Sequence, residues 1–462
     1  MSDVDLIVIG AGMAGMNAAA RASEAEASVA VVERDRVGGT CPIRGCIPSK
    51  ALIRSAEVAH EVRGAAEYGV RVDGFSVDVG AVIGRVQAIV DKGASGARSW
   101  LESLPGVRLH MGEARFEEPG VVTVDGTRLR APRVVIATGA SPRPLPIPGL
   151  GEAGYLTSDD VLTLRELPQR LLVIGAGPVG LELGQALSRL GSRVTMVEVA
   201  DRLLPAGEPE VGEALAELLA GEGIELLLGA EIARVEKRPG GGPRLVAQHE
   251  GRARELDGDA ILLGAGRGPE VEPLRLAAAG VEGGPKGIPV DARLRTSQAG
   301  HFAAGDVLGP PFGAFTPTAR RLGREAVDNA LDIDPHDVSR DDGPRAVFTD
   351  PEAVTIGLTE AQAREAGHDV GVATSGFSGG KARAWGQERG VVKAVVDRAS
   401  RRILGAHVLA YHAADLIHPV AVAMQAGAAD PLLDAIHIHP TLGEPVQRAV
   451  RSALVRRAQA SA

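Results

Sequence analysis

The chain has 462 residues, of which 45% are hydrophobic and 3% aromatic, and it carries a formal net charge of −9. This length allows about three domains, and the acidic balance argues against nucleic acid or an anionic membrane surface as the main partner. Charged residues interrupt the apolar segments well before the roughly 20 residues that a membrane-spanning helix needs, so we expect neither a nucleic-acid-binding nor a membrane protein.

A dinucleotide-binding fingerprint opens the chain. A short apolar strand is predicted at 6–9, a helix at 17–27 and a second strand at 29–32. The residues of the fingerprint are Gly10, Gly12, Gly15 and Glu33. The glycines permit the tight turn, the approach of a pyrophosphate and close packing of helix on strand, and the carboxylate can accept hydrogen bonds from ribose hydroxyls. The pattern predicts a Rossmann-like unit that binds a dinucleotide, whereas glycines alone would indicate only a tight turn.

The only two cysteines of the sequence, Cys41 and Cys46, are five residues apart. On a regular helix their Cα atoms would be roughly 8–9 Å apart, which exceeds the ~7 Å that a disulfide tolerates. Either the thiols never bond, or Pro42, Gly45 and Pro48 distort the helix start. A strained disulfide with so short a loop would be exchangeable; the alternative is two unrelated buried thiols. Two cysteines in such a chain, with an acidic N-terminus unlike a signal peptide, predict a reducing, cytoplasmic location.

The first domain is predicted to end near residue 150. Its further elements are helices at 50–62 and 80–103, short strands within 109–124 and a buried strand at 134–140. We expect Gly93 and Gly96 to interrupt the second of these helices. The proline-rich run 141–148 is typical of a linker.

A second copy of the fingerprint follows the linker. Its parts are a strand at 171–174, Gly175, Gly177 and Gly180, a helix at 181–190, a strand at 193–197 and Glu198. One such fold holds one dinucleotide, so two copies predict two cofactors, the alternative being a second fold that has lost its ligand. Because a carboxylate repels a 2′-phosphate, Glu198 favours NAD over NADP, and Arg202 weakens that preference slightly.

Two further segments follow the second fingerprint, a central one and a C-terminal one with a different pattern of helices and strands. A strand ends in Gly305-Asp306, where the aspartate can accept a hydrogen bond from a ligand hydroxyl. The predicted domains after the first are 151–270 for NAD, 271–340 as a central segment, and 341–462. The last has strand-like segments at 346–348, 354–357, 371–375, 391–396 and 403–410, with helices at 359–366, 413–427 and 444–458. This pattern predicts an α+β domain with its own core.

Over essentially its full length the sequence resembles the flavoprotein pyridine nucleotide–disulfide oxidoreductases, and within them most closely the dihydrolipoamide dehydrogenases. The segments that carry the resemblance are Gly39 to Lys50 around the cysteines, the two glycine fingerprints, Gly305-Asp306, Phe348 to Glu352, and His437 to Glu444. It implies an α/β fold with two Rossmann-like domains, for FAD and NAD, plus a C-terminal α+β dimerisation domain that makes a homodimer.

The resemblance also implies cofactor sites. The residues it assigns to FAD are Gly10, Gly12, Gly15, Glu33, Gly39, Thr40, Lys50, Thr138, Gly139 and Asp306. Those it assigns to NAD are Gly175, Gly177, Gly180, Glu182, Glu198 and Gly266. Cys46 would exchange electrons with the flavin, and Cys41 would be the interchange thiol that meets the substrate. Lys50 and Glu182 would pair beside the flavin, although a helix lysine taken alone is usually a solvated one.

His439 is the general base implied by the resemblance, reached from the partner subunit, and Glu444 is the carboxylate that orients it. The chemistry explains the need, because a thiol with a pKa near 8.5 holds little thiolate at neutral pH. The pair His437 and His439 could also suggest a metal site, but no suitable ligands stand nearby in the sequence, and we expect none.

Five residues depart from the family pattern. Pro42, Ile43 and Arg44 fill the interval between the cysteines, where small polar or apolar residues are usual. We hypothesise that Arg44 lowers a thiol pKa, the alternative being an arginine that faces solvent or an acid. Gly443 and Glu270 also replace the family's usual residues and put the local turns in question.

The sequence favours NAD-dependent oxidation of a protein-bound dihydrolipoyl dithiol. Mercuric reductases carry a further cysteine pair near the C-terminus, and the tail 456–462 has none. The expected partner is a lipoylated carrier protein or lipoyl domain. The alternatives are an NADH-dependent reductase of another disulfide or a metal ion, and a flavoprotein that senses NADH without turnover.

Overall fold

The computed structural model describes residues 2–239, 241–310, 312, 315–339 and 343–455. The predicted tail 456–462 and the predicted boundary residues 341 and 342 lie outside the described residues. Among the described residues, none of the helices combines the length and the apolar character that a bilayer crossing requires.

The elements alternate as an α/β chain in the first two thirds and as an α+β chain in the last third. The first strands are β1 (Ser2–Asp3), β2 (Leu6–Ile9), β3 (Val29–Glu33), β4 (Val107–Met111), β5 (Ala114–Glu118), β6 (Val121–Val124), β7 (Thr127–Arg130), β8 (Arg133–Ile136) and β9 (Ala140–Pro142), with helices α1 (Met13–Glu24), α2 (Thr40–Ile43), α3 (Cys46–Gly64), α4 (Val79–Glu102), α5 (Leu150–Ala153) and α6 (Ser158–Val161). Next come β10 (Arg170–Ile174), β11 (Arg193–Glu198), β12 (Glu225–Leu228), β13 (Glu231–Lys237), β14 (Pro243–His249), β15 (Arg252–Asp257), β16 (Ala260–Leu263), β17 (Arg267–Pro269) and β18 (His301–Ala303), with α7 (Pro178–Leu190), α8 (Pro209–Gly221) and α9 (Thr316–Ala330). The last are β19 (Arg345–Val347), β20 (Glu352–Gly357), β21 (Val370–Gly376), β22 (Val391–Asp397) and β23 (Arg402–Ala410), with α10 (Glu360–Glu365), α11 (Gly380–Ala384), α12 (Ala413–Leu416), α13 (His418–Gln425), α14 (Asp430–Asp434) and α15 (Glu444–Leu454).

The first dinucleotide fold is built on a parallel five-stranded sheet in the order β18-β8-β2-β3-β4. All four residues of β2 are buried, as expected for a central strand covered on both faces. Gly10 has φ +99, and a Cβ atom on Gly15 would lie 1.8 Å from the carbonyl oxygen of Gly10. These two positions therefore require glycine, for the turn and for the contact of α1 with the strand.

Two helix predictions in the first domain need correction. The first helix begins at Met13 rather than at 17 and ends at Glu24, because the turn of the fingerprint leads directly into it at Gly12. The helix predicted at 80–103 runs from Val79 to Glu102 without a break at Gly93 or Gly96. Tertiary contacts override the weak helix propensity of glycine here, since α4 packs against α2 and α3.

The second dinucleotide fold has a parallel sheet in the order β12-β11-β10-β16, with α7 between its first two strands in the chain. Pro178 stands in the first turn of α7, where its missing N–H costs no intrahelical hydrogen bond. The same β-turn-α-β geometry thus occurs twice, as the repeated fingerprint predicted.

The last third forms an antiparallel sheet in the order β19-β20-β23-β22-β21. The helix predicted at 413–427 is two helices, which meet at Ile417 just before Pro419. Buried ion pairs join this sheet to the second fold: the ammonium of Lys393, which is only 4% exposed, lies 2.8 Å from Glu208 and 2.8 Å from Glu210. The sheet therefore sits in a fixed position against the dinucleotide folds.

Candidate active site

The two cysteines lie at a break between two helices. Cys41 belongs to the short helix α2, and Cys46 is the first residue of α3. Gly45 between them has φ −125 and ψ −109, so the backbone leaves the helical path there. The helix start is therefore distorted. Without such a distortion, two cysteines five residues apart on a helix would be too far apart for their sulfurs to bond. Both residues are free thiols in the structure, Cys41 half-buried and Cys46 exposed.

The thiols differ strongly in acidity. A hydrogen bond from Cys41 lowers the pKa of Cys46 to about 6, aided by the Thr316 hydroxyl and the Lys50 charge and opposed by the partial desolvation of the sulfur. The same hydrogen bond, together with burial, raises the pKa of Cys41. Cys46 is therefore the thiolate of the reduced pair, and Cys41 the proton-bearing thiol.

Thr316, which begins α9, is a site residue that the sequence did not reveal. Its Oγ1 lies 3.5 Å from the Sγ atom of Cys46. The contact joins positions 270 residues apart, and no local motif marks it. Close packing of α9 on α1 sets its position, since a Cβ atom on Gly323 would lie 2.1 Å from the carbonyl oxygen of Ala14.

Lys50 and Glu182 form an ion pair, with 2.8 Å between Nζ and Oε2. The other carboxylate oxygen of Glu182 accepts a hydrogen bond of 3.0 Å from the backbone N–H of Phe348. The ammonium also lies 4.0 Å from the centre of the Phe348 ring. This cation, whose charge acts on Cys46, is thus held by one side chain of the second fold and one of the last domain.

Arg44 faces two acidic side chains. Its guanidinium pairs with Asp35 and lies 3.9 Å from Asp159. The structure supports the alternative, an arginine that faces acids, because the cation that lowers the pKa of Cys46 is Lys50.

The FAD residues of the first fold form a cradle that requires glycine. Gly39 has φ +64, and a Cβ atom there would lie 2.6 Å from the Cα atom of Gly12. Glu33 is held by two backbone amides, Ala11 N–H at 2.8 Å and Asp35 N–H at 2.9 Å. A cavity beside this carboxylate is lined by Gly10, Glu33, Arg34, Gly112, Thr138 and Leu274. Glycine-lined backbone next to a fixed carboxylate fits the diphosphate and ribose of a dinucleotide.

Two partly buried charges lie farther along the same cradle. Arg267 donates a hydrogen bond of 3.2 Å to the hydroxyl of Thr40, and its Nε is buried without a hydrogen-bond partner among the described residues. Burial raises the pKa of Asp306, while the charge of Arg267 opposes that rise. Buried polar atoms without full partners are typical of a ligand site, so these residues fit a bound FAD. Arg267 could have been found from the sequence, since it directly follows Gly266.

The turns around the cradle contain Thr138 and Gly139, which the family resemblance assigns to FAD, and Glu270. The hydroxyl of Thr138 donates a hydrogen bond of 2.6 Å to the carbonyl oxygen of Glu270. The Glu270 carboxylate lies 3.3 Å from Arg34. Gly139 next to Thr138 has φ +75, a conformation that favours glycine.

The second fold repeats the carboxylate geometry of the first. Glu198 accepts hydrogen bonds from Ala176 N–H at 2.7 Å and Ala200 N–H at 2.9 Å. Arg202 instead donates to the carbonyl oxygens of Gly207 at 3.2 Å and Pro205 at 2.6 Å. The guanidinium that could have recognised a 2′-phosphate is bound to its own loop.

His439 and Glu444 lie together on the last domain. His439 Nδ1 is 3.2 Å from Glu444 Oε2, and the histidine side chain is 76% exposed. Thr441 N–H donates a 2.7 Å hydrogen bond to the carboxylate. This bond, followed by the one to His439, lowers the pKa of Glu444. The turn before it is undistorted, since Gly443 has φ −78, which any residue adopts.

Among the described residues, His439 contacts Glu444 and makes no hydrogen bond or ion pair with either cysteine of its own chain. The flanking Ile436 and Ile438 are 102% and 81% exposed. His437 is turned inward, with Nε2 2.9 Å from the carbonyl oxygen of Leu432. Within the described residues, no group of three or more His, Cys, Asp and Glu side chains could hold a metal ion.

Two known family models together match nearly the whole chain. Residues 4–331 match the family described as pyridine nucleotide-disulphide oxidoreductase, and residues 343–450 match the dimerisation domain of that family. The family binds FAD and a nicotinamide dinucleotide, and the second match indicates a homodimer.

Individual relatives carry two different activity names. A dihydrolipoyl dehydrogenase of Thermus scotoductus is 37% identical over 98% of this chain and 98% of its own length. A mercuric reductase of Bacillus cereus is 36% identical over 97% of this chain and 71% of its own length. Among solved structures, the HOCl-induced flavoprotein disulfide reductase RclA of Escherichia coli superposes with a TM-score of 0.85 at 29% identity, over 97% of this chain and 99% of RclA.

Proposed function

The chain belongs to the pyridine nucleotide-disulphide oxidoreductase family, and we propose that it acts as a dihydrolipoyl dehydrogenase. In this reaction a protein-bound dihydrolipoyl dithiol loses two electrons and two protons and becomes a disulfide, while NAD⁺ becomes NADH and one proton is released. The observation that carries the proposal is a cysteine pair with unequal acidities, combined with a histidine held by a carboxylate. Dithiol–disulfide exchange needs both a good leaving thiolate and a base.

The exchange starts with Cys41 and Cys46 joined as a disulfide. A substrate thiolate attacks Cys41 Sγ, the bond between the two cysteines breaks, and Cys46 leaves as a thiolate. The second substrate thiol loses its proton and attacks the substrate sulfur bonded to Cys41. The substrate disulfide forms, and Cys41 is released and takes up a proton. The lowered pKa of Cys46 and the raised pKa of Cys41 suit these two fates.

His439 serves as the base for the substrate thiols. Its Nδ1 is engaged by Glu444, so its other ring nitrogen is available to take a proton. The carboxylate stays ionised, because its pKa is lowered, and stabilises the imidazolium that results. Since this side chain is exposed and makes no hydrogen bond to the cysteines among the described residues of its own chain, we assign it to the site of the partner subunit.

Bound FAD would supply the two-electron carrier between the cysteine pair and the nicotinamide. Its holding residues would be those of the first cradle, Gly10, Gly12, Gly15, Glu33, Gly39, Thr40, Thr138, Gly139 and Asp306, together with Arg267. Lys50 would stabilise negative charge beside Cys46, and Glu182 fixes that lysine.

NAD is the nicotinamide dinucleotide we assign to the second fold. Its residues would be Gly175, Gly177, Gly180, Glu182, Glu198 and Gly266. Glu198 is fixed by two amides and would repel a 2′-phosphate, and Arg202 is bound to its own loop. The domains we propose are 1–150 for FAD and the cysteines, 151–270 for NAD, 271–340 completing the FAD site and 341–462 for dimerisation. The partner we propose is a lipoylated carrier.

A second candidate function is the NADH-dependent reduction of another disulfide or of a metal ion. It is favoured by the mercuric reductase relatives and by RclA, which has also been solved as a Cu(II) complex. Against it stands the single cysteine pair of the sequence, because mercuric reductases carry a further pair near the C-terminus.

Steady-state kinetics of the FAD-loaded dimer separates these functions. We expect turnover with dihydrolipoamide and NAD⁺ that Cys41→Ser abolishes. No measurable rate with dihydrolipoamide, together with NADH-dependent reduction of Hg²⁺, Cu²⁺ or another disulfide, would favour the second candidate. Binding of NADH without turnover of any acceptor would favour a sensing flavoprotein.

A further inference from the structure

Helix α9 carries three arginines close together, and they differ in their partners. Arg321 donates a hydrogen bond of 2.8 Å to the carbonyl oxygen of Ser339, and Arg324 pairs with Glu24 at 2.7 Å. Arg320 is exposed, and among the described residues it has neither a hydrogen bond nor an ion pair. Its guanidinium is therefore available to a ligand.

The helix directs Arg320 towards the cysteine pair. Thr316, the first residue of α9, has its hydroxyl 3.5 Å from Cys46 Sγ. Residues four apart lie on the same helix face, about one turn along. Arg320 therefore shares the face of Thr316, and its charge acts on the Cys41 thiol.

Two cations thus flank the cysteines, and only one of them is neutralised. Lys50 acts on Cys46 and is paired with Glu182 at 2.8 Å. Arg320 acts on Cys41, the thiol that meets the substrate in the proposed function, and has no acidic partner among the described residues. An arginine presents a planar fork of donors that matches a carboxylate, and it stands out in a chain whose net charge of −9 otherwise repels anions.

We propose that Arg320 is a specificity-determining residue that binds a carboxylate which the substrate brings to the cysteine pair. The inference rests on the proposed function and adds a substrate class to it, namely dithiols and disulfides that carry an anion on the same molecule. The carboxylate belongs either to a free dithiol acid or to an acidic side chain beside the lipoyl-lysine of a carrier.

Dihydrolipoate and dihydrolipoamide test this directly, because they differ only in the charge of one group. With NAD⁺ as acceptor, we expect wild-type enzyme to have the higher kcat/KM for dihydrolipoate. Arg320→Gln should reduce the ratio of the two kcat/KM values about five- to tenfold, and Arg320→Lys should restore part of it. The matched control is Arg321→Gln on the same helix, which should leave the ratio at the wild-type value.

A second pair of substrates identifies the source of the carboxylate. Two reduced lipoyl-lysine peptides, one with Asp and one with Asn beside the lipoyl-lysine, are compared in the same assay. A preference for the Asp peptide that Arg320→Gln removes assigns the carboxylate to a carrier, and a preference confined to dihydrolipoate assigns it to a free acid.

The ratio of kcat/KM values also separates a binding role from a purely electrostatic one. If Arg320 only tuned the acidity of Cys41, both members of each pair would slow equally and the ratios would not change. Unchanged ratios in both pairs would overturn the inference while leaving the proposed function intact. Absence of turnover with any of these dithiols in wild-type enzyme would instead reject the proposed function and the inference with it.

Discussion

The ammonium of Lys50 lies 2.8 Å from the carboxylate of Glu182 and joins the helix behind the cysteines to the first helix of the second dinucleotide fold. The carboxylate is 10% exposed and is fixed by a further hydrogen bond from Phe348 N–H. The Lys50 ammonium is positioned so that its charge acts on Cys46, while the Glu182 carboxylate balances that charge. The acidity of that thiol therefore depends on contacts between separate parts of the chain.

Removing the Lys50 charge should make Cys46 less acidic. In Lys50→Met, we expect the Cys46 pKa to rise from about 6 towards the usual thiol value near 8.5. Rates of alkylation of each cysteine in the reduced enzyme, followed against pH by mass spectrometry, measure the change. Lys237→Met, which alters an exposed lysine of the second fold, is the control and should leave the titration where it is.

The reduced wild-type enzyme should itself show two separate thiol titrations. Because the pKa of Cys46 is lowered to about 6, its thiolate fraction grows as the pH rises through that value. Cys41, whose pKa is raised, should remain a thiol throughout the neutral range. Iodoacetamide should therefore react with Cys46 well below pH 8. Equal reactivity of both cysteines across pH 5–9 would contradict the assigned acidities.

Replacing His439 should impair dithiol oxidation far more than replacing its neighbour. We expect His439→Gln to lower kcat with dihydrolipoamide by about 10²–10⁴-fold, the contribution of a general base. His437→Gln is the matched control, since that ring is hydrogen-bonded to the Leu432 carbonyl, and its kcat should stay within about threefold of wild type. A greater loss in the control than in His439→Gln would show that the wrong histidine was chosen.

Nicotinamide preference should depend on Glu198. In Glu198→Ala we expect the ratio of kcat/KM for NAD⁺ over NADP⁺ to fall about tenfold, because the charge that repels the 2′-phosphate is gone. Glu213→Ala, which removes an exposed carboxylate on α8, is the comparison. A wild-type enzyme that already prefers NADP⁺ would disprove the role given to this residue.

The sequence predicted the elements whose signals are local. The strand at 6–9 has the predicted bounds, because a continuous apolar run followed by an obligatory glycine turn leaves little freedom. Both fingerprints and the strand-like segments of the last domain follow local patterns in the same way, whereas the pairing of Lys50 with Glu182 was expected only from the family resemblance.

The parts that were not predicted depend on distant contacts. Thr316 and Cys46 meet across 270 residues, and nothing near either residue indicates it. The orientation of Arg44 depends on where Asp35 and Asp159 lie after folding. The unbroken course of α4 through Gly93 likewise reflects packing rather than propensity.

A mixed dimer provides the most direct test of a site that takes its sulfurs from one chain and its base from the other. Cys41→Ser and His439→Gln subunits carrying different tags are co-expressed, and dihydrolipoamide oxidation by NAD⁺ is measured for each homodimer and for the purified heterodimer. Both homodimers should be nearly inactive, and the heterodimer, which keeps one intact site of two, should recover about half of the wild-type rate. A heterodimer as inactive as its parents would contradict the shared site.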